Sequence, residues 1–164
     1  MMQTPAALRA RFARHVGDER LGRAALALFL YASMPALLAG AAFAALLLLL
    51  RPGLDVLALR GGGPHPFTML VVGPVVGTLV LGTLILFFAR RQPTRHAIAL
   101  AALVLAAFHA LDNAVWGVTA LAMLLVHGHA FVRLYDGDRQ RAFVVPMLAH
   151  ALHNGILVAL VAML

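Results

Sequence analysis

The chain of 164 residues is 63 % hydrophobic and only 12 % charged, carries a formal charge of +7 and has no cysteine. This composition lies far from that of soluble domains and excludes disulfides, thiolate metal sites and cysteine nucleophiles. Apolar runs of about 20 residues, each long enough for a bilayer core of roughly 30 Å, use up nearly the whole chain and leave no soluble catalytic domain.

All thirteen basic residues are Arg. They flank the apolar runs, so the positive charge points to membrane topology and not to nucleic acid. The Arg-only usage, with Ala and Leu dominant elsewhere, points to a GC-rich bacterial genome and hence to a bacterial inner membrane.

Residues 1–23, "MMQTPAALRARFARHVGDERLGR", read as a basic amphipathic cytoplasmic arm. Arg9, Arg11, Arg14, Arg20 and Arg23 stand against Asp18 and Glu19, with Leu8, Phe12 and Val16 about four apart. The arm serves either as a topogenic flank or as a surface for anionic headgroups, at about 1 kcal/mol per basic residue. The apolar run behind it is too long for a removed signal peptide and lacks a clear cleavage site.

Residues 24–164 are expected to form a single all-α transmembrane domain of about five spans: 24–50, 67–89, 96–112, 115–135 and 143–164. Pro35 and Gly40 are candidate kinks in the first span. The Gly- and Pro-rich "RPGLDVLALRGGGPHP" ends it, and a short link pairs the third and fourth spans as a helical hairpin. Counting Arg by loop puts the N-terminus, "RRQPTRH" and "YDGDRQR" in the cytoplasm. Arg51, Arg60 and the C-terminus fall on the periplasmic or extracellular side.

Polar side chains within spans cost about 2.5 to 3.5 kcal/mol each when ionisable, so they mark a function or a buried contact. In the fifth span His150, His153 and Asn154, at i, i+3 and i+4, share one helical face that must meet protein or water. A hydrogen-bonded helix contact is the plainer reading of that face. In the third, "FHALDNAVW" sets His109, Asp112, Asn113 and Trp116 at the spacing of one face. Asp112 is the one acidic residue near the membrane interior, and it equally suits a turn between the third and fourth spans.

In the fourth span His127 and His129, two apart, point to nearly opposite sides and read as interfacial histidines near the cytoplasmic end. No cofactor is singled out by these spacings. A haem between His109 or His150 and a fourth-span histidine, or a metal on His109, His150 or His153, is the alternative that the imidazoles leave open. In the second span Gly73 and Gly77 form a G-x-x-x-G pattern and Gly82 follows, with Thr78 and Thr83 between and beyond them, a signal for close helix packing.

Taken in order, these pieces resemble the CPBP family, the intramembrane endopeptidases related to the CAAX prenyl protease and to bacteriocin-processing proteins. "AFVVPMLAHALHN" is similar to that family's H-x-x-x-N motif, with His150 and Asn154 in its two positions and Pro146 in its lead. "LAAFHALDN" resembles the F-x-x-x-H segment, with Asp112 at the motif histidine and His109 three residues earlier. "LVVGPVVGTLVLG" looks like the E-E-x-x-x-R helix, with Pro74 in place but Gly77, Thr78 and Gly82 where Glu, Glu and Arg would stand.

The resemblance, over residues 67 to 164, implies a CPBP-like helical core and a proteolytic mechanism in which glutamate activates water inside the membrane. Glycine and threonine cannot act as that base. The resemblance therefore implies a degenerate, non-catalytic member: a scaffold or accessory subunit whose polar face, His109, Asp112, Asn113, His150, His153 and Asn154, contacts a membrane partner. Two rivals stand beside it. One is an active endopeptidase with Asp112 as base and His150 and Asn154 positioning water or an oxyanion. The other is the haem or metal carrier.

Overall fold

The computed structural model describes residues 19–50, 65–112 and 114–163. Among them the regular structure is helical throughout. Helix α1 spans Glu19–Leu50, α2 Gly73–Phe88, α3 Thr94–Asp112, α4 Ala114–Tyr135 and α5 Arg139–Met163, and a π-helical segment, Thr68–Val72, leads into α2. Residues 1–18 of the expected basic arm and the expected loop at 51–64, with Arg51 and Arg60, lie outside the described residues.

Four stretches among the described residues, Leu21–Leu47, Thr68–Phe88, Thr94–Leu111 and Ala114–Tyr135, are long and apolar enough to cross a membrane. The fifth expected span, 143–164, falls on α5 and ends on residue 164, outside the described residues. Helix is the expected form for such runs because a backbone without water must bond to itself. That requirement holds even α2, "GPVVGTLVLGTLILFF", in helical form although Gly, Val and Thr are poor helix formers in water.

Helix starts differ from the sequence expectation where polar caps extend them. Helix α5 begins at Arg139 because Asp138 Oδ1 accepts from the backbone N–H of Gln140 at 3.0 Å and of Arg141 at 3.1 Å, an N-cap that draws both residues into the helix. Likewise the Pro93 carbonyl accepts from the N–H of His96 and of Ala97, so α3 starts at Thr94.

Helix α4 lies at the centre, packed on α1, α3 and α5, while α2 lies against α3 and α5. Leu81 and Ile85 of α2, Ile98, Ala101, Ala102 and Leu105 of α3, and Ala120, Leu124 and Phe131 of α4 form the main core. A smaller cluster joins Ala32 and Ala36 of α1 to Met123 of α4. Small residues set these distances: a Cβ on Gly117 would meet the Ala110 Cβ at 2.5 Å, and one on Gly128 would meet Ile98 Cγ2 at 2.7 Å. The outer surface is apolar, with Tyr31, Leu38, Leu49, Phe87, Phe108 and Leu111 all exposed. This inverts the arrangement of a soluble domain and suits a lipid solvent.

The hairpins α2–α3 and α4–α5 turn at the same end of the bundle, and α1 runs antiparallel to α4, with Gly40 against Thr119 and Ala36 beside Met123. As a result Arg23, Arg90, Arg91, Arg95, Arg133, Arg139 and Arg141 gather at one end. The described residues thus form a helical bundle with an apolar girdle and an arginine-rich end.

Candidate functional site

The α5 face that carries His150 and Asn154 lies against the glycines of α2. The two helices run antiparallel: Gly82 meets Phe143, Gly77 meets His150, and Gly73 meets Asn154. A Cβ on Gly77 would stand 3.4 Å from His150 Cε1, and one on Gly73 would stand 3.9 Å from Asn154 Nδ2. Glycine therefore sits on α2 wherever α5 presents one of these polar side chains. At Gly82 the same device admits two rings, since a Cβ there would be 2.8 Å from Phe131 and 2.9 Å from Phe143.

Asn154 donates from Nδ2 to the Met69 carbonyl at 2.7 Å. The local sequence explains why that carbonyl is free. Proline inside a helix lacks an N–H and its ring presses on the carbonyl four residues back, here that of Leu70. The chain widens into the π-helical turn Thr68–Val72, and the N–H of Gly73 passes over Met69 to bond the Thr68 carbonyl. In this wider register the donor due to Met69 would be the backbone nitrogen of Pro74, which carries no hydrogen. Pro74 thus creates the unpaired acceptor, and Asn154 fills it from another helix. Leu70 closes the same contact, 3.6 Å from where a Cβ on Gly155 would lie.

Behind this seam stand two further histidines. His127 of α4 and His150 have ring centroids 6.2 Å apart at an interplanar angle of 56°. His127, His150 and His153 are all buried, as are Thr78 and Ser33. Counting along the helices from the arginine-rich end, His127 is about 12 Å and His150 about 16 Å into the bundle at 1.5 Å per residue.

His127 overturns its reading as an interfacial residue. It is 1 % exposed, whereas His129 points outward and bonds the Leu125 carbonyl of its own helix. The signal was in the helical period: Gly117, Ala120, Leu124, Gly128 and Phe131 mark the inner face of α4, and His127 falls on it while His129 does not. Nearness to the end of the span was no guide to burial, because depth and facing are independent on a helix.

The expected single face of His109, Asp112, Asn113 and Trp116 is broken. Helix α3 ends at Asp112 and α4 starts at Ala114, so Trp116 belongs to a different helix from His109. His109 is half-buried and donates from Nδ1 to the Leu105 carbonyl at 2.8 Å. Asn113 lies outside the described residues, and of Asp112 the backbone alone is described. Among the described residues no three His, Cys, Asp or Glu side chains are grouped as metal ligands.

Comparison with family models, with curated proteins and with solved structures returns no match.

Proposed function

We propose that this chain is a degenerate CPBP-type protein of the bacterial inner membrane, a non-catalytic scaffold or accessory subunit that binds the transmembrane helices of a partner complex. In this reading it crosses the membrane five times, with the arginine-rich end in the cytoplasm and the C-terminus outside. One observation carries the proposal: the two side chains that match the H-x-x-x-N motif are engaged in joining α5 to the start of α2. Asn154 is bonded to the Met69 carbonyl and His150 packs at Gly77.

Hydrolysis would need a base within hydrogen-bond reach of a bound water. The α2 residues that stand where the resembled family has its acidic pair are Gly77 and Thr78, and neither supplies one. What remains useful is shape: a bundle held rigid by a polar seam, presenting apolar helix faces on which a second membrane protein can pack without hydrophobic gain, by close fit.

Native mass spectrometry of the protein, extracted from its own membranes in a mild detergent, tests this. The proposal expects a defined assembly heavier than the chain. A bare chain mass, together with cleavage of a membrane substrate that Asp112→Asn abolishes, would replace it with the endopeptidase reading.

A further inference from the structure

A proline within a helix withholds the N–H due to the carbonyl four residues back. At Pro74 the turn widens, and Asn154 fills the acceptor left bare. At Pro35 no such repair is made. Helix α1 stays α-helical from Glu19 to Leu50, so the donor due to the Tyr31 carbonyl is the Pro35 nitrogen, which carries no hydrogen. The nearby hydroxyl, Ser33 Oγ, does not relieve it, because it is buried on the inner side of α1 with no hydrogen-bond partner. Tyr31 and Pro35 are both exposed, so the bare carbonyl opens outward.

The side chain of Tyr31 adds a donor at the same level. It is 78 % exposed. Other outward-facing polar side chains satisfy themselves: Thr83 and His129 each bond the carbonyl four residues back at 2.8 Å, which lets a membrane helix carry them. A phenol held out on a rigid ring cannot turn back in this way, and among the described residues nothing meets its hydroxyl. Tyrosines of the interfacial belt keep the hydroxyl among headgroups. Tyr31 stands eight residues beyond Arg23, about 12 Å further into the bundle at 1.5 Å per residue.

These two groups lie on a patterned face. Ala27, Tyr31, Met34, Leu38, Ala41 and Ala45 are all exposed and follow one another in alternating steps of four and three residues. That mean period of 3.5 is the one at which two helices stay in contact along their length. Three of the six are alanine, which lets backbones approach closely, as contacts between membrane helices require. The opposite side of α1, with Ala25, Phe29, Ala32 and Ala36, is already buried within the bundle.

We propose that this outer row of α1 docks a second copy of the chain. The two α1 helices lie side by side in the same orientation, and the Tyr31 hydroxyl of each copy donates to the carbonyl that Pro35 bares on the other. The choice of a second copy follows from the groups themselves. One residue carries both a donor and an unmet acceptor, so a two-fold axis satisfies both copies with no further residue, as a self-complementary contact requires. A foreign helix would have to bring a donor and an acceptor to the same level. The inference rests on the membrane-crossing reading above and goes beyond it in naming a contact between copies.

Cysteine cross-linking in native membranes tests this, because the chain has no cysteine of its own. Met34→Cys, Leu38→Cys and Ala41→Cys are each expected to give a disulfide-linked product of twice the chain mass. Leu26→Cys on the flank of α1 and Leu103→Cys on α3, both exposed, are not. Product at the control positions as strong as at the row, no product anywhere, or a product joined to a different protein would each overturn the proposal. Energy transfer between labelled copies diluted in lipid vesicles then reads the bond itself. Tyr31→Phe and Pro35→Ala should each weaken the pair about tenfold, as two lost interhelical bonds imply, and the double variant no more than either alone. An unchanged pair in Tyr31→Phe would overturn the contact. Cross-links at the row without any heavier assembly would uphold it and remove the scaffold reading, whereas an assembly with other proteins and no cross-links would do the reverse.

Discussion

The side chain of Asn154 and the carbonyl of Met69, 85 positions apart, meet at 2.7 Å because Pro74 withholds the hydrogen that would have bonded Met69 within its own helix. A defect in one helix and a polar residue in another thus form a single fastening. Interhelical bonds of this kind average about 0.6 kcal/mol and reach about 1.7 kcal/mol. Asn154→Leu is therefore expected to lower stability by about 1 kcal/mol, and Asn154→Asp, which can no longer donate when ionised, by at least as much. Reversible unfolding in detergent micelles reads both.

The glycines on the inner faces differ in how much room they leave, which orders their alanine variants. A Cβ at Gly82 would press on Phe131 and Phe143 at 2.8 to 2.9 Å, and one at Gly117 would meet Ala110 at 2.5 Å, with its backbone behind. At Gly77 the nearest atom, on His150, is 3.4 Å away. Gly117→Ala and Gly82→Ala should each cost about 1 to 3 kcal/mol as overpacking does, and Gly77→Ala much less. Thermal denaturation of the three variants side by side checks the order, and a Gly77→Ala that is the most damaging of the set would break it.

Orientation is open to direct chemistry because any introduced cysteine is the only one. Gln92 lies in the turn at the arginine-rich end and His65 at the opposite end, and both are exposed. A membrane-impermeant thiol reagent applied to intact cells should label His65→Cys at once and Gln92→Cys only after permeabilisation, as the positive-inside rule requires. The reverse pattern would place the arginines outside.

Asp138 starts α5 by accepting from two backbone N–H groups. Asp138→Ala should cost about 1 kcal/mol through the lost cap, and Asp138→Asn only a fraction of that. Amide exchange at Gln140 and Arg141 should quicken in the alanine variant and change little in the asparagine variant.

Much of this architecture was legible in the apolar runs and the placement of arginine, since both follow from the solvent and not from tertiary detail. The four stretches long and apolar enough to cross a membrane begin and end within about three residues of expectation, and helix α1 itself starts further upstream, at Glu19. The polar face of His150 and Asn154 was legible as a face. Its partner was not, because the acceptor at Met69 exists only after Pro74 has widened the turn, and no periodicity announces a π-helical segment. His127 was readable from the small-residue stripe of α4 but was read together with His129, two residues on, as one of a pair near the end of the span. The end of the third helix at Asp112 and the hairpin to the fourth were expected; what fails is the single polar face drawn from His109 to Trp116, because helical spacing can continue from one helix into the next.

The account turns on whether the retained motif residues fasten helices together, and a double-mutant cycle between Asn154 and Pro74 tests that most directly. Pro74→Ala restores an N–H near the Met69 carbonyl, so Asn154→Leu should cost about 1 kcal/mol in the native background and close to nothing beside Pro74→Ala, a coupling well above the noise of such cycles. Equal costs in the two backgrounds would show that the bond to Met69 does not hold α5 to α2, and would return Asn154 and His150 to the search for chemistry.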